Sequence, residues 1–143
     1  MKIAITSGFV NPIHIGHIEC MRMSKELADQ LWYIVNSDYQ AFLKRGTTSF
    51  QDEECRMAVV SAIKYVDRAV LSFDKDGTVC ETLEKLIQEA KALGHEVIFT
   101  KGADRAAHNT PEVKVCEKYS VEFIDGLGDK IRSSSEYIKR VRE

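Results

Sequence analysis

Short apolar runs alternate along the chain with longer stretches whose apolar residues recur at helical spacing. The apolar runs predict strands at Lys2–Thr6, Leu31–Val35, Ala69–Ser72, Glu96–Thr100 and Val121–Ile124. The helical spacing predicts helices at Ile18–Ala28, Asp52–Ile63, Val79–Leu93, Pro111–Tyr119 and Ser134–Val141. Because strands alternate with helices, we expect an α/β fold: a Rossmann-like, five-stranded parallel sheet with helices on both faces. The length of 143 residues suits one domain, residues 1–143.

Charge and cysteine content narrow the classes of function. The formal net charge of −2 gives no sign of a surface for nucleic acid or for a membrane. No apolar stretch reaches the length that spans a bilayer. The four cysteines are widely spaced and form no C-x-x-C pair, which argues against a zinc site and a disulfide framework. We therefore expect a reducing, cytoplasmic setting.

The segment GFVNPIHIGH, residues 8–17, follows directly on the first predicted strand. Ligands of a parallel sheet bind outside the carboxyl ends of its strands, where this segment lies. Gly8 permits a sharp turn and the close approach of a ligand. Gly16 and His17 would open the first helix, whose N-terminal amides attract phosphate. If that helix begins between His14 and His17, both rings face one pocket and can stabilise charge during phosphoryl-type transfer. The alternative is a pair of surface-loop histidines.

This segment resembles the signature of the nucleotidylyltransferase superfamily that carries the H-x-G-H motif. That superfamily includes glycerol-3-phosphate cytidylyltransferase, heptose-phosphate nucleotidylyltransferases and pyridine-nucleotide adenylyltransferases. Further segments are similar to the family pattern and follow its order: Ile18–Asp29, Val35–Asp38, Glu54–Arg56, Tyr65–Asp67, Lys101–Asp104 and Ser133–Ser135. Together the matches extend over nearly the entire chain, which makes the resemblance far more specific than any single motif.

The resemblance implies transfer of a nucleoside monophosphate from a triphosphate to a small phosphorylated metabolite, with release of pyrophosphate and no covalent enzyme intermediate. His14 and His17 would bind the triphosphate and the developing charge. Lys44 would bridge the two reacting phosphates, with Arg45 as the alternative for that role and a solvated loop lysine as the plainer interpretation. Magnesium would be held mainly by the triphosphate, because no carboxylate cluster forms a dedicated cage. Small family members are commonly dimers, so we expect a homodimer.

Other positions acquire roles from the same resemblance. Nucleotide contacts are expected from Gly8, Phe9, Asn11, Gly16, Lys101, Gly102, Asp104, Arg132, Ser133, Ser134 and Ser135. Acceptor contacts are expected from Asn36, Asp38, Arg45 and Arg56. Structural alternatives stay open: Asp38 as a helix cap, Arg56 in a surface ion pair, and Ser133 or Ser134 as the cap of the last helix with Arg132 solvated.

Two departures from the family pattern leave the base undecided. Asn11 stands where cytidylyltransferases of this size carry aspartate, and its Asn-Pro pair is more like pyridine-nucleotide adenylyltransferases. The family's R-T-x-G-I-S-T stretch is replaced by GLGDKIRSSS. Length and the K-G-A-D turn favour CTP, with ATP as the alternative. A non-catalytic nucleotide sensor or partner subunit is the alternative from another class. The acceptor stays open among polyol phosphates, sugar phosphates, phosphonates and mononucleotides.

Overall fold

The computed structural model describes residues 1–47, 50–102 and 110–127. The strands are β1 Lys2–Gly8, β2 Gln30–Val35, β3 Arg68–Leu71, β4 Glu96–Gly102 and β5 Glu122–Leu127. The helices are α1 Ile15–Glu26, α2 Asp38–Arg45, α3 Glu53–Ser61, α4 Cys80–Ala92 and α5 Glu112–Lys118. Every predicted strand is confirmed, as are the predicted helices up to α5. The helix predicted at Ser134–Val141 lies outside the described residues.

The strands form one parallel sheet in the order β3-β2-β1-β4-β5. The chain builds outward from β1 through β2 to β3, and then crosses to β4 on the other side of β1. Such a reversal opens a crevice at the carboxyl ends of the two central strands. The segment of residues 8–17 leaves β1 at this crevice, and Lys101 and Gly102 end β4 beside it.

Side chains that alternate along the strands supply two hydrophobic cores, one on each face of the sheet. Ile3 and Ile5 of β1 pack in a cluster with residues of α4 and α5, whereas Ala4 packs with Met21 of α1 and Val60 of α3. The predicted α/β fold with helices on both faces is thereby confirmed. None of the helices in the described ranges is both long and apolar enough to cross a membrane.

Helix α2 is the element that the apolar pattern did not predict. Only Gln40 and Ala41 of this helix are buried, so it has no apolar stripe toward the core. Polar caps define it instead: Ser37 accepts a hydrogen bond from the Gln40 amide while the Gln40 side chain bonds back to Ser37. Gly46 ends the helix at φ +73°, in the left-handed region. The alternative in which Asp38 caps this helix is wrong, because Ser37 is the cap.

Candidate functional site

His14 and His17 cap the N-terminus of α1 reciprocally. His14 Nδ1 accepts a hydrogen bond from the Gly16 amide at 3.1 Å, and His17 Nδ1 accepts one from the His14 amide at 3.1 Å. The two ring centroids are 3.9 Å apart. The helix therefore begins at Ile15, between the two histidines and earlier than the predicted Ile18, and brings both rings to one place. A loosely held pair of loop histidines does not describe this geometry.

The same cap decides which nitrogen of each ring carries the proton. Because both Nδ1 atoms accept from backbone amides, a neutral imidazole at either position carries its proton on Nε2. Two Nε2–H donors thus stand at the N-terminus of a helix, where the helix dipole and the first amides already favour an anion. This arrangement suits the binding of phosphate oxygens.

The backbone between β1 and α1 is tightly constrained. A Cβ atom at Gly8 would collide with the hydroxyl of Tyr33 on the neighbouring strand, so the close approach that requires glycine here is to Tyr33. Val10 adopts φ +45°, which β-branched residues rarely do, and is buried. Asn11 is completely buried, and its Oδ1 accepts a hydrogen bond from the Gln51 amide at 2.8 Å. The surrounding structure therefore holds this strained loop in one conformation.

Two lysines from distant parts of the chain reach the residues on either side of Gly8. The Lys44 ammonium lies 4.5 Å from the centroid of the Phe9 ring, within range of a cation–π interaction. Lys101 Nζ donates to Ser7 Oγ at 2.9 Å. Lys44 belongs to the last turn of α2 rather than to a loop. The carboxyl end of β1 thus gathers two positive charges close to the start of α1.

Arg56 lies with Asn36 and Asp38 in the part of the site for which the sequence predicts acceptor contacts, named the acceptor side for that prediction, and its side chain is completely buried. Its Nε donates to the Gln51 carbonyl at 2.9 Å, and its Nη1 donates to the carbonyls of Phe9 and Asn36 at 2.8 and 2.6 Å. Its Nη2 donates to Asp38 Oδ1 at 2.9 Å. These bonds use four of the five guanidinium donors. The alternative of a surface ion pair is wrong because the guanidinium is buried.

The N-termini of α2 and α3 are fastened to each other. The amide of Asp38 donates to Glu53 Oε1 at 2.9 Å, while the carboxylate of Asp38 accepts from Arg56. Thus the Glu53 carboxylate of α3 accepts from the backbone of α2, and the Asp38 carboxylate of α2 accepts from Arg56 of α3. The peptide of Gln51 is held on both sides as well, its N–H by Asn11 and its carbonyl by Arg56.

Gln40 supplies a second buried polar connection on this side. Its Oε1 accepts from Asn36 Nδ2 and from the Ser37 amide, and its Nε2 donates to the carbonyls of Asp76 and Thr78 at 2.8 and 2.7 Å. The completely buried amide therefore joins the end of β2 to the loop that precedes α4.

The structure brings most of the sequence-predicted site residues to the carboxyl edge of the sheet. They are Gly8, Phe9, Asn11, His14, Gly16, His17, Asn36, Asp38, Lys44, Arg45, Arg56, Lys101 and Gly102. Asp104, Arg132, Ser133, Ser134 and Ser135 lie outside the described residues. The roles of all these residues in binding or catalysis stay predictions.

Sequence reasoning did not single out the residues that hold the acceptor side together, which are Gln40, Gln51 and Glu53, nor Ser7, which accepts from Lys101. One signal was available. The tetrapeptide Ser37-Asp38-Tyr39-Gln40 has the spacing of a capping box, which predicts a helix that begins after Ser37. The partners of Gln51 and Arg56 carry no such signal, because they lie far away along the chain.

Comparison with known proteins identifies the family of this chain. The family model described as "Cytidylyltransferase-like" matches residues 5–141. A FAD synthase of Thermoplasma acidophilum is 34% identical over 99 residues, which cover 69% of this chain and 68% of the relative. A FAD synthase of Thermoplasma volcanium is 27% identical over 139 residues, covering 97% and 93%. The bifunctional protein HldE of Azorhizobium caulinodans is 31% identical over 94% of this chain and 26% of its own length.

A solved structure shows the same arrangement of elements. The crystal structure of the lipopolysaccharide core biosynthesis protein from Thermoplasma volcanium superposes with a TM-score of 0.66 at 25% identity, over 90% of this chain and 98% of that one. The family match spans nearly the whole sheet and the motif at the start of α1. The chain belongs to the cytidylyltransferase-like family, within the nucleotidylyltransferase superfamily.

Proposed function

We propose that the protein is an enzyme that transfers a nucleoside monophosphate from a nucleoside triphosphate to a small phosphorylated metabolite. The observation that carries this proposal is the reciprocal cap of His14 and His17 at the start of α1, beside two lysines that converge on the carboxyl end of β1. A phosphate oxygen of the acceptor attacks the α-phosphorus in line. The new P–O bond forms as the bond to pyrophosphate breaks, and pyrophosphate carries the charge away.

Each group contributes to positioning or to charge stabilisation in this reaction. The Nε2–H groups of His14 and His17 donate to phosphate oxygens whose negative charge increases in the transition state. The N-terminal amides of α1 add the field of the helix dipole. Lys44, with Arg45 next to it, bridges the α-phosphate and the acceptor phosphate, and so offsets the repulsion between two anions. Lys101 and Gly102 contact the nucleotide in this proposal, and the nucleotide contacts of Asp104, Arg132, Ser133, Ser134 and Ser135 stay predictions from the family resemblance.

Magnesium enters this proposal with the triphosphate. No group of three or more His, Cys, Asp or Glu side chains within residues 1–47, 50–102 and 110–127 could hold a metal ion. The oxygens of the triphosphate are suitable ligands for Mg²⁺, which keeps several waters and needs few protein ligands. When bound there, the ion would neutralise part of the triphosphate charge.

Two donor nucleotides have support. By the family resemblance, the sequence Lys101-Gly102-Ala103-Asp104 favours CTP. ATP is equally supported, because relatives are named FAD synthase and FAD is an AMP group joined to FMN. FMN is accordingly the first acceptor to test with ATP, and polyol and sugar phosphates come first with CTP. We further propose a homodimer, as the family resemblance implies. We also propose a reducing, cytoplasmic setting, in keeping with four cysteines in the described residues that form no disulfide.

The test is to incubate the protein with ATP or CTP, Mg²⁺ and a panel of phosphorylated acceptors, and to follow pyrophosphate release. We expect release with one pairing of donor and acceptor, and the mass of the product then identifies both. Triphosphate binding without pyrophosphate release from any pairing would favour the non-catalytic sensor instead.

A further inference from the structure

Arg56 is the point at which three separate parts of the candidate site meet. Its buried guanidinium bonds to Phe9 in the motif loop, to Asn36 at the end of β2 and to Asp38 at the start of α2. Its Nε also holds the Gln51 carbonyl in the turn that leads into α3. The partners are backbone carbonyls, apart from one carboxylate, so the guanidinium fixes the course of the main chain.

Two of these contacts lead directly to Lys44. Arg56 holds the carbonyl of Phe9, and the ring of that same residue lies under the Lys44 ammonium. Arg56 also holds the carboxylate of Asp38, the first residue of the helix whose last turn carries Lys44. The lysine is therefore connected to the guanidinium through its aromatic partner and through its own helix.

From this connection we propose that Arg56 is a positioning residue for the transfer reaction: it sets the place of Lys44 relative to the motif loop of residues 8–17. It does so without contacting substrate, which distinguishes this role from direct acceptor binding. The inference rests on the proposed transferase function. A lysine at position 56 keeps the charge but lacks the planar fork that reaches four acceptors at once. Arg56→Lys therefore separates the effect of the positive charge from the effect of the hydrogen bonds that only a guanidinium can make.

The kinetic test compares wild type with Arg56→Lys and with the control Arg68→Lys. Arg68 is also an arginine in an ion pair, with Glu89, but it is exposed and belongs to β3. We expect Arg56→Lys to lower kcat by about 10- to 100-fold, the size of effect that a misplaced catalytic group produces. Both KM values and the Kd for the triphosphate should stay within about threefold, because the residues that bind the nucleotide are intact. Arg68→Lys should match wild type.

A second readout needs no turnover. Hydrogen exchange should increase in Arg56→Lys over residues 38–47, 50–56 and around Phe9, while β1 and β4 keep their protection. If wild type releases no pyrophosphate, the proposed function fails. The local increase in hydrogen exchange then still tests whether Arg56 holds α2 and Phe9 in place.

Several outcomes would overturn the proposal. A raised acceptor KM with unchanged kcat would make Arg56 a direct acceptor ligand. Faster hydrogen exchange throughout the sheet would show that Arg56 contributes only to general stability. Unchanged kinetics or unchanged exchange in Arg56→Lys would show that Arg56 does not position Lys44. Should Arg56→Lys not fold, Asp38→Asn releases the same guanidinium from one partner, and the same separation of kcat from KM is expected at smaller size.

Discussion

The two sides of the candidate site are held by different kinds of contact. The donor side is the histidine pair at the start of α1, for which the sequence predicts triphosphate contacts. There His14 bonds to Gly16 and His17 bonds to His14, so these contacts join residues within a few positions of each other. On the acceptor side, the Arg56 guanidinium and the Gln51 amide reach residues 47 and 40 positions away. A short segment of chain thus builds the histidine pair by itself, whereas the second side forms only when β1, α2 and α3 come together.

This difference predicts that substitutions on the two sides will have different consequences. In the proposed reaction the donor-side groups contact the triphosphate, so their loss should lower turnover more than stability. The acceptor-side groups are buried and bonded to other buried groups, whose partners remain unsatisfied after a substitution. Loss of such a group costs stability directly.

The largest expected effect is on the donor side. His17→Ala should lower kcat by on the order of 10²-fold or more, because it removes a donor aimed at charge that develops in the transition state. Steady-state pyrophosphate release measures this, and His95→Ala is the control because His95 lies near the N-terminal amine, away from the motif. Near-normal turnover in His17→Ala would contradict the proposal that the histidine pair stabilises the transition state.

Replacement of Lys44 tests whether the positive charge at the end of α2 contributes to the transfer reaction. Lys44→Ala should lower kcat by at least about tenfold, since an unneutralised repulsion between donor and acceptor phosphates remains. The melting temperature should change little because Lys44 is exposed. Lys85→Ala is the matched control: it removes another exposed lysine that lies over an aromatic ring, that of Phe73. Equal activity of the two variants would contradict the assigned role.

Gln40 tests the acceptor side as a structural unit. Gln40→Leu deprives the carbonyls of Asp76 and Thr78 of their donor inside the protein, which should lower the free energy of unfolding by about 2–4 kcal/mol. Urea denaturation measures the loss. Gln88→Leu, at an exposed position on α4, should change it far less. A Gln40→Leu protein as stable as wild type would show that the buried network contributes nothing.

Gly8 tests the constraint shared by β1 and β2. Gly8→Ala forces a methyl group against the Tyr33 hydroxyl and should destabilise the fold by about 1–3 kcal/mol, as overpacked sites do. The double variant Gly8→Ala with Tyr33→Phe removes the colliding oxygen and should recover part of that loss. Additive destabilisation in thermal unfolding would argue against this contact as the cause.

The smallest expected effect on activity is that of modifying the cysteine thiols. Cys55 lies next to the acceptor side, and Cys116 lies on α5. Cys55 precedes Arg56 but is exposed, so an alkylating reagent at pH 8 should modify it without loss of activity. Burial raises the pKa of the Cys116 thiol to about 12, and ionisation is needed for reaction, so this residue should stay unmodified in the folded protein. Peptide mass mapping distinguishes the two. Modification of Cys116 at the rate of Cys55 would contradict the packing around α5.

Within the described residues, the sequence by itself determined the strands, the helices other than α2, and the histidine pair of the site. Strand and helix positions follow from apolar periodicity, and the H-x-G-H spacing places two histidines at a helix start because the interactions involved are local. The tertiary structure decided the rest. Whether Arg56 formed a surface ion pair or a buried junction depended on which carbonyls the fold brought around it. Hydrogen bonds between residues distant in the chain leave no periodic trace in the sequence, because their partners are chosen by the packing of whole strands and helices.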